Sequence, residues 1–271
     1  MRQGSNNFTH SAVCTPKQWR IITTLIVLVG WMLVDPSLVA HAADKADITA
    51  KEIVERADRI RFPDEAFQVN VKITTTRPDS DPEVKEYQVL TKGNDKTLLT
   101  TTYPAIDRGN ILLMRDLDLW AFLPKLSQPV RLPLAQKLTG EVANGDLARA
   151  NFSGDYDATL LRTEDIDKVT YYVLELKANR RGVTYHRVLY WVNKENYWPY
   201  KAEFFTLSNR LIKTCHYQSY DTIGGAIRPT QLVMENALKN QERSVMEYSN
   251  MRVRRLRDKI FTKDYLKKLA K

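Results

Sequence analysis

The side chains best suited to proton transfer or nucleophilic attack are few: His186, His216, Cys215 and some neighbouring carboxylates. Each histidine reads as part of a strand. Cys215 falls in an alternating stretch, which favours a buried small hydrophobe over a nucleophile. Asp116 with Asp118, and Glu164 with Asp165 and Asp167, lie beside turns, where solvated carboxylates are ordinary. No H-E-x-x-H, G-x-S-x-G or phosphate-loop pattern occurs, and zinc-ligand spacing is absent. The expectation is no catalytic residue, no metal and no cofactor. A catalytic site would need groups that converge from distant strands.

The N-terminus carries an address. Arg2, Lys17 and Arg20 precede the uncharged run Ile21 to Val34, and Ala40-His41-Ala42 supplies an A-x-A exit before Ala43. This reads as a cleavable signal peptide over residues 1–42, with the remaining 43–271 exported to the periplasm. An uncleaved anchor is the rival, but a membrane span needs about 20 apolar residues and Asp35-Pro36 stops this run early. No cysteine follows the run, so a lipid anchor is not expected. Cys14 leaves with the leader, which removes any intramolecular disulfide and requires an ordinary core.

The whole chain has 41 Lys and Arg against 32 Asp and Glu, net +9. Removing residues 1–42 leaves 38 against 31, net +7. That balance suits anionic surfaces or acidic partners, although a solvated surface explains it too.

The elements follow from hydrophobic period. Thr49 and Glu52 form a capping box ahead of Ile53, Val54, Ala57 and Ile60 at helical spacing, and Pro63 closes that helix. The period then changes to two. Phe67, Val69, Val71 and Ile73 alternate with polar residues, and further strands are expected over 84–90, 97–103, 110–114, 119–123 and 130–132. No helical crossover fits the gaps, so the meander is antiparallel. A second strand set is expected over 169–178, 184–192, 200–207, 210–220, 227–236 and 242–253, with hairpin signals such as Ser208-Asn209 and Gly224-Gly225. Residues 133–167 lack strand periodicity and read as a cap or lid, with short helices over 134–138 and 146–151. A final helix is expected over 262–269.

The predicted fold is mainly β with a few helices (α+β). It is an incomplete antiparallel β-barrel of about 11–12 strands, because so many strands cannot stay flat, with helices capping an apolar concave face. Parity and aromatic content nominate the lining of that face as Phe67, Val69, Val71, Ile73, Trp120, Phe122, Leu174, Leu189, Trp191 and Phe204. A plain core would explain any one strand; one-sided strands, few helices and a long insertion together suggest a hydrophobic-ligand cavity. Arg252, Arg254, Arg255 and Arg257 head the strongest basic cluster and are the candidate docking residues. Nucleic acid is not an expected partner outside the cytoplasm.

The segments Asp118-Leu119-Trp120-Ala121-Phe122-Leu123-Pro124-Lys125, Phe152-Ser153-Gly154-Asp155-Tyr156, Tyr190-Trp191-Val192, Pro199-Tyr200-Lys201-Ala202-Glu203-Phe204 and Arg228-Pro229-Thr230 carry a resemblance. In order and spacing, over 48–269, they resemble the divergent branch of the outer membrane lipoprotein-sorting (LolA-like) family. The resemblance implies an incomplete barrel closed by helices, and carriage of a lipid or lipoprotein acyl chain towards the outer membrane without catalysis. It also implies work beside an inner-membrane transporter, while the basic balance and cluster give the expectation of transient membrane-surface contact. A monomer is expected. The alternatives are a periplasmic sensor or regulatory domain of the same half-barrel type, and a lipid-modifying enzyme, which would need polar groups converging inside the cavity.

Overall fold

A computed structural model describes residues 48–124, 126–149, 151–239 and 241–269, without the side chains of Lys268 and Leu269. The expected leader, its cleavage after Ala42 and its A-x-A exit lie outside the described residues.

Helix α1 (Ala50–Arg61) begins where the sequence says it should. The Glu52 N–H donates to Thr49 Oγ1 at 3.2 Å and the Thr49 N–H donates to Glu52 Oε2 at 2.9 Å, so two orphan donors are satisfied reciprocally. Ile53, Val54 and Ala57 form its buried stripe. At its other end Arg228 donates through Nη1 to the carbonyls of Arg59 (2.6 Å) and Ile60 (3.1 Å), filling acceptors that a helix end leaves open.

The first strand set comprises β1 (Phe67–Arg77), β2 (Ser80–Lys92), β3 (Lys96–Tyr103), β4 (Ile111–Arg115), β5 (Asp118–Phe122) and β6 (Val130–Leu132). After a two-stranded ribbon, β7 (Lys137–Thr139) and β8 (Val142–Ala143), come two short helices, α2 (Asn144–Ala148) and α3 (Phe152–Asp155). The second set is β9 (Tyr156–Ile166), β10 (Val169–Ala178), β11 (Arg187–Asn193), β12 (Pro199–Phe205), β13 (Leu211–Ile223), β14 (Ala226–Asn236) and β15 (Arg243–Val253). Helix α4 (Lys263–Leu269) follows, with the Tyr265 N–H donating to Thr262 Oγ1 at 3.3 Å.

Thirteen strands form one open antiparallel sheet, β6-β5-β4-β3-β2-β1-β15-β14-β13-β12-β11-β10-β9. The two meanders join through β1 and β15, whose register sets Val71 opposite Tyr248 and Ile73 opposite Met246. This is the expected mainly β, helix-capped architecture, open rather than closed into a barrel. Two local expectations change. Residues 156–166 form the edge strand β9 rather than loop: Thr159 to Thr163 are exposed on both faces of the strand, so the alternation that betrays a half-buried strand is missing. Residues 134–138 form turn and β7 rather than a helix.

The strip between the sheet's two edges is tied by side chains. Arg180, after β10, donates through both terminal nitrogens to Asp116 in the β4–β5 turn, at 2.9 and 2.5 Å. No backbone ladder joins β6 to β9 among the described residues.

Candidate functional site beneath the cap

The concave face holds the main core. Phe67, Val69, Val71 and Ile73 of β1 share it with Leu174 of β10, Phe204 of β12 and the α1 stripe. Leu134, Val142, Leu147, Ala148 and Phe152 close it from the cap side. Alternation in β1 puts every second side chain here because one face meets the cap and the other meets solvent.

Four nominated residues sit on the other face. Trp120 and Phe122 pack with Leu98, Ile111, Leu113, Leu256, Phe261 and Leu266, under the 3₁₀ turn Asp258–Phe261 and α4. Leu189 and Trp191 pack with Tyr171, Val173 and Tyr200. The grouping of all ten on one face is therefore corrected to six. The physical reason is that the outer face is also covered: Lys263 Nζ lies 3.6 Å from the Trp120 ring centre and Lys201 Nζ 3.9 Å from that of Trp191. Both parities of these strands consequently look apolar, and a large aromatic does not mark the concave side.

The cap is held by buried ion pairs that the sequence reading did not anticipate. Lys213 of β13 meets Asp146 of α2, Nζ to Oδ2 at 2.5 Å, and donates to the Glu141 carbonyl at 2.9 Å. Tyr185 donates its hydroxyl to Asp146 at 2.8 Å and also contacts Lys213. Arg149, just past α2, pairs with Asp155 (Nη2 to Oδ1, 2.6 Å) and donates to the carbonyls of Asn94 (2.9 Å) and Asp116 (3.0 Å). Asp58 of α1 accepts from the Ser153 N–H of α3 at 2.8 Å and from Arg61 at 3.2 Å. Ser244 of β15 accepts from the Glu141 N–H at 2.9 Å. One signal was readable: Lys213 shares inward parity with Cys215 and Tyr217.

Electrostatics follow from burial. Desolvation raises the Asp58 carboxyl above its usual range, opposed by Arg61 and the Ser153 N–H. It pushes the Cys215 thiol up to about 12 and the Tyr185 and Tyr217 phenols well above theirs, so none of these ionises at neutral pH. Arg61 lies over the Phe152 ring at 4.5 Å, and its Nε and the Tyr190 hydroxyl have no hydrogen-bond partner among the described residues. The interior thus holds polar side chains as well as apolar ones. Its acids and bases are engaged with each other.

One hollow of about 280 Å³ at the cap is lined by Lys137, Glu141, Tyr185, Ile212 and Lys213 among others, and little space remains against the apolar face itself. A cavity of about 40 Å³ is lined by Phe62, Phe67, Val69, Val89, Leu147 and Tyr248 among others, and a second of about 20 Å³ by Arg61, Asp155, Phe152 and Tyr217 among others. Those volumes suit a few waters, whereas small-molecule pockets run to roughly 300–1,000 Å³. The cap closes the face.

His216 sits on the outer face against Tyr200, ring centres 6.3 Å apart, and His186 is exposed just ahead of β11. No group of three or more His, Cys, Asp or Glu suited to a metal ion occurs among the described residues. No helix among them is long and apolar enough to cross a membrane.

Comparison with known proteins sets this architecture in a family. A family profile described as "Uncharacterized protein" matches residues 93–268. No curated protein matches the chain. Among solved structures, a LolA superfamily protein from Nitrosomonas europaea is 56% identical with a TM-score of 0.78, covering 80% of this chain and 99% of its own. A DUF1329 family protein from Desulfovibrio piger (22% identity, TM-score 0.69) covers 80% of this chain and 97% of its own. An outer membrane lipoprotein-sorting protein domain from Vibrio parahaemolyticus (20% identity, TM-score 0.67) covers 80% and 98%. The last two share the fold; the first, with its identity and near-complete coverage, places the chain in the LolA superfamily.

Proposed function

We propose that the protein is a periplasmic carrier, exported by a cleavable signal peptide. In this reading it takes the acyl chain of a lipid or lipoprotein onto its concave face and delivers it towards the outer membrane. It works as a monomer beside an inner-membrane transporter. The observation that carries the reading is an apolar face closed by a thin cap, which meets it through a few apolar side chains such as Leu147 and Phe152 and through polar ties, the Lys213–Asp146 ion pair and the Arg149 hydrogen bonds to Asn94 and Asp116. A buried ion pair adds little net stability, because desolvation offsets the Coulomb gain. Such ties hold a cap in register while leaving it separable.

Magnitudes favour enclosure. Micromolar affinity needs about −8 kcal/mol, and association itself costs roughly 4–15 kcal/mol, so about 500–900 Å² of apolar surface must leave water at ~25 cal/mol per Å². A chain lying on the exterior does not bury that much. It must enter the face lined by Phe67, Val69, Val71, Ile73, Leu174 and Phe204 after the cap swings away. The name of the Vibrio relative, a lipoprotein-sorting domain, agrees with this use of the fold.

The test is mass spectrometry of lipid retained through native purification, with displacement by a fluorescent fatty acid. One intact acyl lipid per chain supports carriage. A lipid recovered in chemically altered form points to an enzyme, and no retained lipid with no probe binding contradicts the reading.

A further inference from the structure

The positive charge of the chain is concentrated in one strip. Residues 48–251 hold 28 Lys and Arg against 27 Asp and Glu, whereas residues 252–271 hold nine against two. Almost all the net charge beyond the leader therefore belongs to the end of β15, the 3₁₀ turn and α4. Arg252, Arg254, Arg255, Arg257 and Lys259 are all exposed there, and none of them forms an ion pair among the described residues. Asp258 is already engaged: Lys92 and Lys96 each approach its Oδ1 at 3.2 Å. Intramolecular pairing therefore leaves this cluster uncompensated.

The strip is fastened to the protein by its apolar residues, which leaves its cations facing out. Leu256, Phe261 and Leu266 are buried against Leu98, Leu113 and Phe122 on the outer face. The Arg254 N–H donates to the Ala66 carbonyl at 2.9 Å, and Lys92 Nζ donates to the Leu256 carbonyl at 3.2 Å. Val253, half-exposed between Arg252 and Arg254, pairs across the ladder with Phe67. Phe67 lines the cavity of about 40 Å³ together with Phe62, Pro63, Gly93 and Asn94, so the cationic strip borders that end of the concave face.

We infer that this strip docks on the headgroup layer of an anionic phospholipid membrane and turns that end of the concave face towards the bilayer. A series of exposed, uncompensated guanidinium and ammonium groups is matched by a dense sheet of phosphates, and Val253 adds an apolar contact between Arg252 and Arg254. An acidic protein partner would have to present several carboxylates in matching register, whereas lipid headgroups rearrange around whatever spacing they meet. The docking itself is independent of cargo; only the purpose of the orientation rests on the carrier reading.

The test is flotation of the purified chain with vesicles of phosphatidylcholine alone and with 30% phosphatidylglycerol, at about 50 and about 300 mM salt. Expected is binding to the anionic vesicles at low salt, at least a tenfold loss at high salt, and loss in the triple variant Arg252→Glu, Arg255→Glu, Arg257→Glu. A control with Lys72→Glu and Lys177→Glu, cations elsewhere on the surface, retains binding. An unchanged circular dichroism spectrum and Tm show that the triple variant is folded, and fluorescent fatty-acid binding, read separately, reports on carriage. Equal binding to both vesicle types, binding to neither, or retention by the triple variant overturns the inference.

Discussion

Lys213 Nζ and Asp146 Oδ2 stand 2.5 Å apart, with both side chains 6% exposed, and this pair joins the central strand β13 to the cap helix α2. A lysine here is costly to bury and is held by four contacts: Asp146, the Glu141 carbonyl, Tyr185 and Met234. Removing only one charge leaves the other buried without its partner. Lys213→Met is therefore expected to lower stability by about 3–5 kcal/mol in urea unfolding, and Lys213→Met with Asp146→Leu to lose clearly less. Equal losses would show that the pair is not coupled.

Gly145 fixes how closely α2 approaches the β10–β11 loop. A Cβ built there would stand 1.8 Å from Thr184 Oγ1, so any side chain must displace the loop or the helix. Gly145→Ala is expected to cost about 1–3 kcal/mol and Thr184→Ala to restore part of it. Thermal melting of the single and double variants checks this.

Cys215 reports on opening. Its thiol is buried and its ionisation is pushed up to about 12, so a thiol reagent at pH 8 is expected to leave residue 215 unmodified while the cap is closed. Mass spectrometry at that residue, with and without Lys213→Met, is the measurement. Faster labelling in the variant is the expected outcome.

The tie across the sheet's open side is acid-sensitive. Hydrogen bonds from Arg180 hold the Asp116 carboxyl below its usual range, with burial opposing them. A depressed folded-state value gives stability that is present above the unfolded carboxylate range, near pH 3.9, and is lost as pH falls through the folded value. The Tm difference between the natural chain and Asp116→Asn is thus expected to be constant from about pH 7 to 5 and to close towards pH 2.

Much of the fold was legible because its signals are local. The Thr49-Glu52 box, Pro63 and the period of β1 each act within a few residues, and all three appear where expected. Strand β9 escaped because it is an edge whose side chains are mostly exposed on both faces. The concave face was half legible: Phe67 to Ile73 alternate cleanly, whereas Trp120 and Trp191 lie on an outer face that α4, Lys263 and Lys201 also cover. The cap's ion pairs were not legible, since Arg149 and Asp155 become partners only through the placement of α2 and α3 against distant turns.

The central claim is that acyl chains lie beneath the cap, and a photoreactive fatty acid tests it most directly. After irradiation and digestion, labels are expected on concave-face residues such as Phe67, Val69, Val89 and Leu174, and Leu174→Ala is expected to weaken binding roughly tenfold while Leu189→Ser leaves it unchanged. Labelling confined to Trp120, Leu189 or Trp191, or no labelling at all, would contradict the account.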